Sequence, residues 1–235
     1  MPEPAYVERW RPAAVLWDMD GTLVDTEPYW IREEHELVES FGGKWSDELA
    51  LKCVGNTLTA SAEVIRENSA VTMTVEEIVD RLLTGVSRSM REHVPWRPGA
   101  RELLQSCVAA GMPNALVTMS YDSFASVMID TLPEQTFAAV VTGDIVRQGK
   151  PHPEPYLTAA EALGVQPQDC VAVEDSVPGV HSARAAGVPT IAVPHVVELP
   201  QLSGVVQIDS LVGLTAADLG ALALQAIATT GGGRP

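Results

Sequence analysis

The stretch Val15-Leu16-Trp17-Asp18-Met19-Asp20-Gly21 decides the reading of this chain. Its apolar start reads as a buried strand, and its end delivers two carboxylates, Asp18 and Asp20, to the place where that strand should stop. On extended backbone the two side chains would face opposite ways. A turn begun at Gly21 can bring both into one crevice beyond the strand's carboxyl end, where open α/β sheets bind ligands. One acid is then placed to attack while the other handles protons.

By itself this string could be an ordinary acidic turn. A calcium loop is excluded, because Thr22 stands where the third acidic ligand belongs and Leu23 where the glycine belongs. Company elsewhere in the chain lifts the functional reading. Thr118 ends the apolar run NALVT, Glu174 and Asp175 end CVAVED, and Lys150 follows FAAVVTGDIVRQG. A lone lysine is more often solvated, and Thr118 could cap a helix starting near Asp122. Four polar sites at the ends of similar strands reverse both odds.

Outward from Asp18 the pattern alternates strand and helix, with strands expected at 13–18, 113–118, 137–142, 170–174 and 189–193. This alternation argues a Rossmann-like α/β core, a mostly parallel sheet flanked by helices. Helical spacing at Ala100, Leu103, Leu104, Cys107 and Val108 stops at Gly111, and at Ala159, Ala160 and Leu163 it stops at Gly164. Residues 26–94 break the alternation, with helical periodicity and no convincing strand. There Val75, Ile78, Val79, Leu82, Leu83, Val86 and Met90 form one apolar stripe, opened by Thr74 and Glu77 as a capping box. We therefore expect an inserted all-helical domain at 26–94 and a core made of 1–25 and 95–235. Pro95-Trp96-Arg97-Pro98-Gly99 suits a restricted hinge between them.

With 235 residues, 46% of them hydrophobic, the chain can build a full core. Its 31 acidic against 15 basic residues, a formal charge of −16, oppose binding to nucleic acid or an anionic membrane. No run reaches the ~18 apolar residues of a membrane span, and the N-terminus MPEPAYVERWRP lacks the basic and apolar regions of a secretion signal. Cys53, Cys107 and Cys170 are odd in number and read as buried free thiols, which together with the absent signal points to a reducing cytoplasm. The tail Ala228–Pro235, ATTGGGRP, reads as frayed. The five histidines show no metal-ligand spacing and receive no catalytic role. The segment GDIVRQGK is no Walker loop: Gly143 is one residue too far from Lys150, and Pro151 replaces the required Ser or Thr.

In order and spacing, DMDGT at 18–22, the strand ending in Thr118, Lys150 in GKPHPEPY and the acidic pair in VEDSVPGV make the chain resemble a haloacid dehalogenase superfamily hydrolase. The likeness covers nearly the whole chain and is to the subfamily with a helical cap after the first motif. It implies Mg²⁺ as cofactor. It also implies Asp18 as the nucleophile that forms an aspartyl-phosphate and binds the metal, with Asp20 as general acid and base whose carbonyl also coordinates. Asp175 would be a direct metal ligand and Glu174 a neighbour acting directly or through water. Thr118 and the amides of Met119 and Ser120 would hold the phosphoryl oxygens, and Lys150 would balance phosphate and Asp18. Such enzymes act on small phosphorylated metabolites, here sugar phosphates foremost.

The presence of Asp20 favours phosphoryl chemistry over dehalogenation. Mutases resembling β-phosphoglucomutase are the alternative, but they carry a histidine where this chain has Trp30, which favours net hydrolysis. A non-enzymatic phospho-acceptor of the receiver type would lack the long helical insert. Specificity is expected from the cap, through Glu27, Trp30, Lys52, Gly55 and Asn56 near the hinge or on a polar break between helices. The sequence leaves the oligomeric state open, and a monomer suffices.

Overall fold

The computed structural model describes residues 10–54 and 56–229, so Gly55 and the tail residues 230–235 lie outside the described residues. Six strands, β1 Val15–Trp17, β2 Asn114–Val117, β3 Ala139–Val141, β4 Val171–Glu174, β5 Thr190–Ala192 and β6 Val205–Gln207, form one sheet in the order β3-β2-β1-β4-β5-β6. All five pairings are parallel. Five strands fall within the expected ranges. The sixth, β6, is a three-residue edge strand with one buried residue, too short to leave a periodic signal.

The apolar runs reflect a sheet covered on both faces. Val15 and Trp17 join one core cluster with Leu103, Phe124 and Leu219, while the intervening Leu16 joins another with Tyr156, Ala159 and Ala183. Trp17 is fully buried, and its indole Nε1 donates to Asn114 Oδ1 at 2.8 Å. That bond removes the roughly 1–3 kcal/mol cost of an unpaired buried donor.

The core helices are α5 Ala100–Ala109, α6 Asp122–Ile129, α7 Glu154–Leu163, α8 Val177–Ala185 and α9 Ala216–Thr229. Helices α5 and α7 end where the glycines require, with Gly111 at φ 65° and Gly164 at φ 67°. Among the described residues between β1 and α5 lie four helices and no strand: α1 Glu27–Ser40, α2 Asp47–Leu51, α3 Leu58–Asn68 and α4 Val75–Glu92. Helix α4 opens with the Thr74–Glu77 capping box and buries Ile78, Val79, Leu82, Leu83, Val86 and Met90. It packs on α1 and α3, and also reaches α6 of the core.

At the α1–α4 contact Gly85 leaves room for a buried carboxyl. A Cβ there would come within 1.8 Å of the Glu33 carboxyl, which Arg32, Arg81 and Arg88 surround. The two crossings between helical layer and core lie side by side, since Asp25 N donates to Pro95 O at 2.8 Å and Arg97 N to Leu23 O at 2.9 Å.

From β1 the chain moves out to β2 and β3, then returns to place β4 on the other side of β1. The order reverses between β1 and β4, and the crevice beyond their carboxyl ends is where such sheets bind ligands. Asp18, Glu174 and Asp175 end those two strands.

Candidate active site

Asp18 follows β1 directly and is 6% exposed. Its Oδ1 accepts from Lys150 Nζ at 2.6 Å, and its Oδ2, although buried, has no hydrogen-bond partner. Lys150 also donates to Val117 O at 2.8 Å and to Glu174 Oε1 at 2.6 Å. Burial would drive the lysine towards its neutral form, but Asp18 and Glu174 outweigh it and raise its pKa above the ordinary value. Lys150 is therefore a fixed cation. Burial raises the Asp18 carboxyl to about 7, against the pull of Lys150.

Both oxygens of Glu174 are engaged. Its Oε1 accepts from Lys150 and from Tyr156 Oη at 2.7 Å, and its Oε2 from the Asp175 and Ser176 amides and the Ser176 hydroxyl. Gly179 makes room for it, because a Cβ there would sit 2.0 Å from the carboxyl. Asp175 accepts from Thr22 Oγ1 at 3.2 Å, and burial together with the charges of Asp18 and Glu174 holds its pKa well above normal. Gly21, at φ 85°, turns the chain so that Asp175 Oδ2 lies 2.0 Å from where a Cβ would stand. One oxygen each of Asp18, Glu174 and Asp175 lie within 4.8 Å of one another. This is a hard-oxygen donor set for a divalent cation, with the orphaned Asp18 Oδ2 as an available ligand.

Asp20, immediately before the turn at Gly21, reaches the same cleft. Its Oδ1 accepts from Thr26 Oγ1 at 2.5 Å, and its Oδ2 from Ser120 Oγ at 2.7 Å and Thr118 Oγ1 at 3.3 Å. Burial raises its pKa despite these donors. Thr118 does not cap α6, whose N-cap residue is Tyr121; instead it ends β2 and accepts the Ser120 amide at 3.0 Å. Met119 joins it in the cleft wall, and a Cβ on Gly143 would strike the Met119 carbonyl.

Of the expected cap residues, Glu27, Trp30 and Asn56 line the cleft. Trp30 packs edge-on against Phe124 of the core, with centroids 5.4 Å apart. Lys52 does not come to the cleft: it is the exposed C-cap of α2, and its carbonyl accepts from Asn56 Nδ2 at 2.6 Å. Gly55 lies outside the described residues. Sequence reasoning missed Thr26, Tyr156, Glu34 and His195. Tyr156 ends the GKPHPEPY motif and Thr26 stands six residues after Asp20, so spacing from the acids could have found both. His195, on the loop after β5, lines the cleft with its Nε2 2.9 Å from Asp25 Oδ1.

Glu27 and Glu34 are each raised from 4.5 to about 7, first by burial; further carboxyls add for Glu27, whereas the Trp45 indole and Cys53 oppose for Glu34. A carboxyl whose folded pKa is raised stabilises below its unfolded pKa, and that contribution is lost as pH rises through the folded value. The unfolding temperature of metal-free protein should therefore decline from pH 4.5 towards pH 7. Glu34→Gln should gain on the parent across that window in thermal melts. A difference that stays constant with pH would exclude this origin.

A parallel sheet whose switch point gathers Asp18, Asp20, Lys150 and the acidic cluster of Asp18, Glu174 and Asp175 beneath a helical cap defines the class. The chain belongs to the haloacid dehalogenase-like hydrolase family, whose model matches residues 15–193. It is 33% identical over 77% of its length to the bifunctional riboflavin kinase/FMN phosphatase of Arabidopsis thaliana, of which it spans about half, 48%. It is 32% identical to the phosphorylated carbohydrates phosphatase of Thermotoga maritima, over 76% of this chain and 83% of that one. Among solved structures, CbbY from Rhodobacter sphaeroides in complex with phosphate superposes with a TM-score of 0.78 at 26% identity, covering 88% of this chain and all of the other.

Proposed function

We propose that this chain is a Mg²⁺-dependent phosphatase that hydrolyses a small phosphorylated metabolite, foremost a sugar phosphate, through an aspartyl-phosphate on Asp18. The observation that carries it is Asp18 itself: a buried carboxyl with one oxygen fixed by Lys150 and the other unpartnered, facing a cleft that Asp20 also lines. The phosphatase named for phosphorylated carbohydrates supports the substrate class.

Asp18 attacks phosphorus as the ester bond to the leaving oxygen breaks, and Asp20 gives that oxygen its proton. Water then attacks the acyl phosphate, Asp20 takes the water's proton, and the bond between phosphorus and Asp18 is released. Thr118, Ser120 and Lys150 face the transferred oxygens, and Lys150 offsets charge that would otherwise repel a phosphate dianion from Asp18. Mg²⁺ would be held by Asp18, Asp175 and the Asp20 carbonyl, and when bound it neutralises charge on the transferring group. Glu174, with donors on both oxygens, is left to position Lys150 and to reach the metal through water.

The helices between residues 26 and 94 would act as the cap, closing about the paired crossings to exclude water. Trp30, wedged on Phe124, stands where the resembling mutases use a histidine, so hydrolysis is favoured over transfer back to substrate. Among the described residues no helix is long and apolar enough to cross a membrane. Burial lifts Cys53, Cys107 and Cys170 to about 12, which suits unreactive thiols in a reducing cytoplasm.

The test is phosphate release from a panel of phosphate esters. Activity should disappear in EDTA and return with Mg²⁺, while Ca²⁺, with its looser coordination shell, should restore little. Full turnover by thoroughly chelated enzyme would refute the metal assignment.

A further inference from the structure

Two adjacent glutamates of α1 are treated in opposite ways. Glu33 is fully buried and meets Arg81, Arg32 and Arg88 at 3.3, 3.4 and 3.6 Å. Glu34 is also buried, at 3% exposure, but the groups that meet its carboxyl are neutral, the Trp45 indole donating at 2.9 Å and the Cys53 thiol beside it. Among the described residues no cation forms an ion pair with it. Burying a carboxyl without a cation is costly, and a glutamine would satisfy Trp45 at less expense.

The cost falls at one place. Glu27, Trp30 and Glu34 are spaced i, i+3, i+7, which puts them on one face of α1, and all three line the cleft that contains Asp18 and Asp20. A leaving group projecting from the phosphoryl position towards the cap meets this face. It offers carboxyl oxygens that accept hydrogen bonds and an indole that covers C–H surface. It repels a second anion.

The geometry points to Glu34, assisted by Glu27, as the residue that reads the hydroxyl groups of the leaving alcohol, so that the site takes phosphate esters of neutral polyols and sugars and rejects esters bearing a further anionic group. This rests on the phosphatase reading and narrows it. Sites built to hydrogen-bond a substrate hydroxyl discriminate strongly, because their buried polar groups are otherwise left unpaired. Glu34 is a specificity residue; it lies on the cap helix and leaves the proton transfers to Asp20.

The experiment compares kcat/KM of the Mg²⁺-loaded parent and Glu34→Gln on a hexitol phosphate, phosphoglycolate and an aryl phosphate. Glutamine keeps the shape and the acceptor for Trp45. The parent should favour the hexitol phosphate over phosphoglycolate by roughly 100-fold, as expected where several hydrogen-bonded hydroxyls are replaced by a repelled charge. In Glu34→Gln the ratio of hexitol to aryl phosphate turnover should fall about tenfold or more, and the ratio of phosphoglycolate to hexitol phosphate should rise. Equal loss on every ester, or a parent that prefers phosphoglycolate, overturns the assignment while leaving the phosphatase reading intact. A parent that releases phosphate from none of the three overturns both.

Discussion

Asp18→Asn is expected to reduce phosphate release by roughly 10⁴-fold or more, since an amide is a poor nucleophile and the groups around it act as a unit. The fold should survive. The amide keeps an oxygen for Lys150, and it removes a charge that burial and the nearby Glu174 and Asp20 already disfavour. Because the Asp18 carboxyl titrates near 7 in the folded protein, its ionisation works against stability at higher pH. The variant should therefore melt no lower than the metal-free parent at pH 8. Calorimetric unfolding beside a phosphate-release assay separates the two readouts. Substantial turnover by the purified variant would sink the covalent mechanism.

How far the sequence carried the argument can be seen at particular residues. Val15–Trp17 and Val171–Glu174 were legible because a doubly covered parallel sheet needs continuous apolar runs, and the acids at their ends then stand out. The pairing of β1 with β4, which brings Asp18 and Asp175 together, was not legible, since strand–helix alternation implies a parallel sheet but not the order of its strands. Strand β6 was not legible, since three residues at an edge, two of them partly exposed, carry no period. Lys52 was misplaced for a different reason: position on a loop says nothing of which way a long, solvated side chain points. Glu33 and Glu34 are indistinguishable as letters, and only the helix phase separates the one facing α4 and its arginines from the one facing the cleft.

Asp20→Asn should cost about 10²- to 10⁴-fold in turnover, the usual loss for a positioned acid and base, with the fold again retained. Thr26, Ser120 and Thr118 all hydrogen-bond the Asp20 carboxyl, so an asparagine would be held in nearly the same place but could neither give a proton nor take one. Burial raises the pKa of this carboxyl, which favours the protonated form required at the start of the reaction. The loss should then depend on the leaving group. An alkyl ester such as a sugar phosphate needs its oxygen protonated, whereas an aryl oxide departs more readily without help. Asp20→Asn should accordingly lose more on a sugar phosphate than on an aryl phosphate, and with the aryl ester the aspartyl-phosphate on Asp18 should accumulate because the attacking water has lost its base. Rapid quench with ³²P-labelled ester, followed by acid precipitation of the protein, measures that accumulation. Equal losses on both esters with no labelled protein would remove Asp20 from the proton transfers and leave it only the role of anchoring the loop.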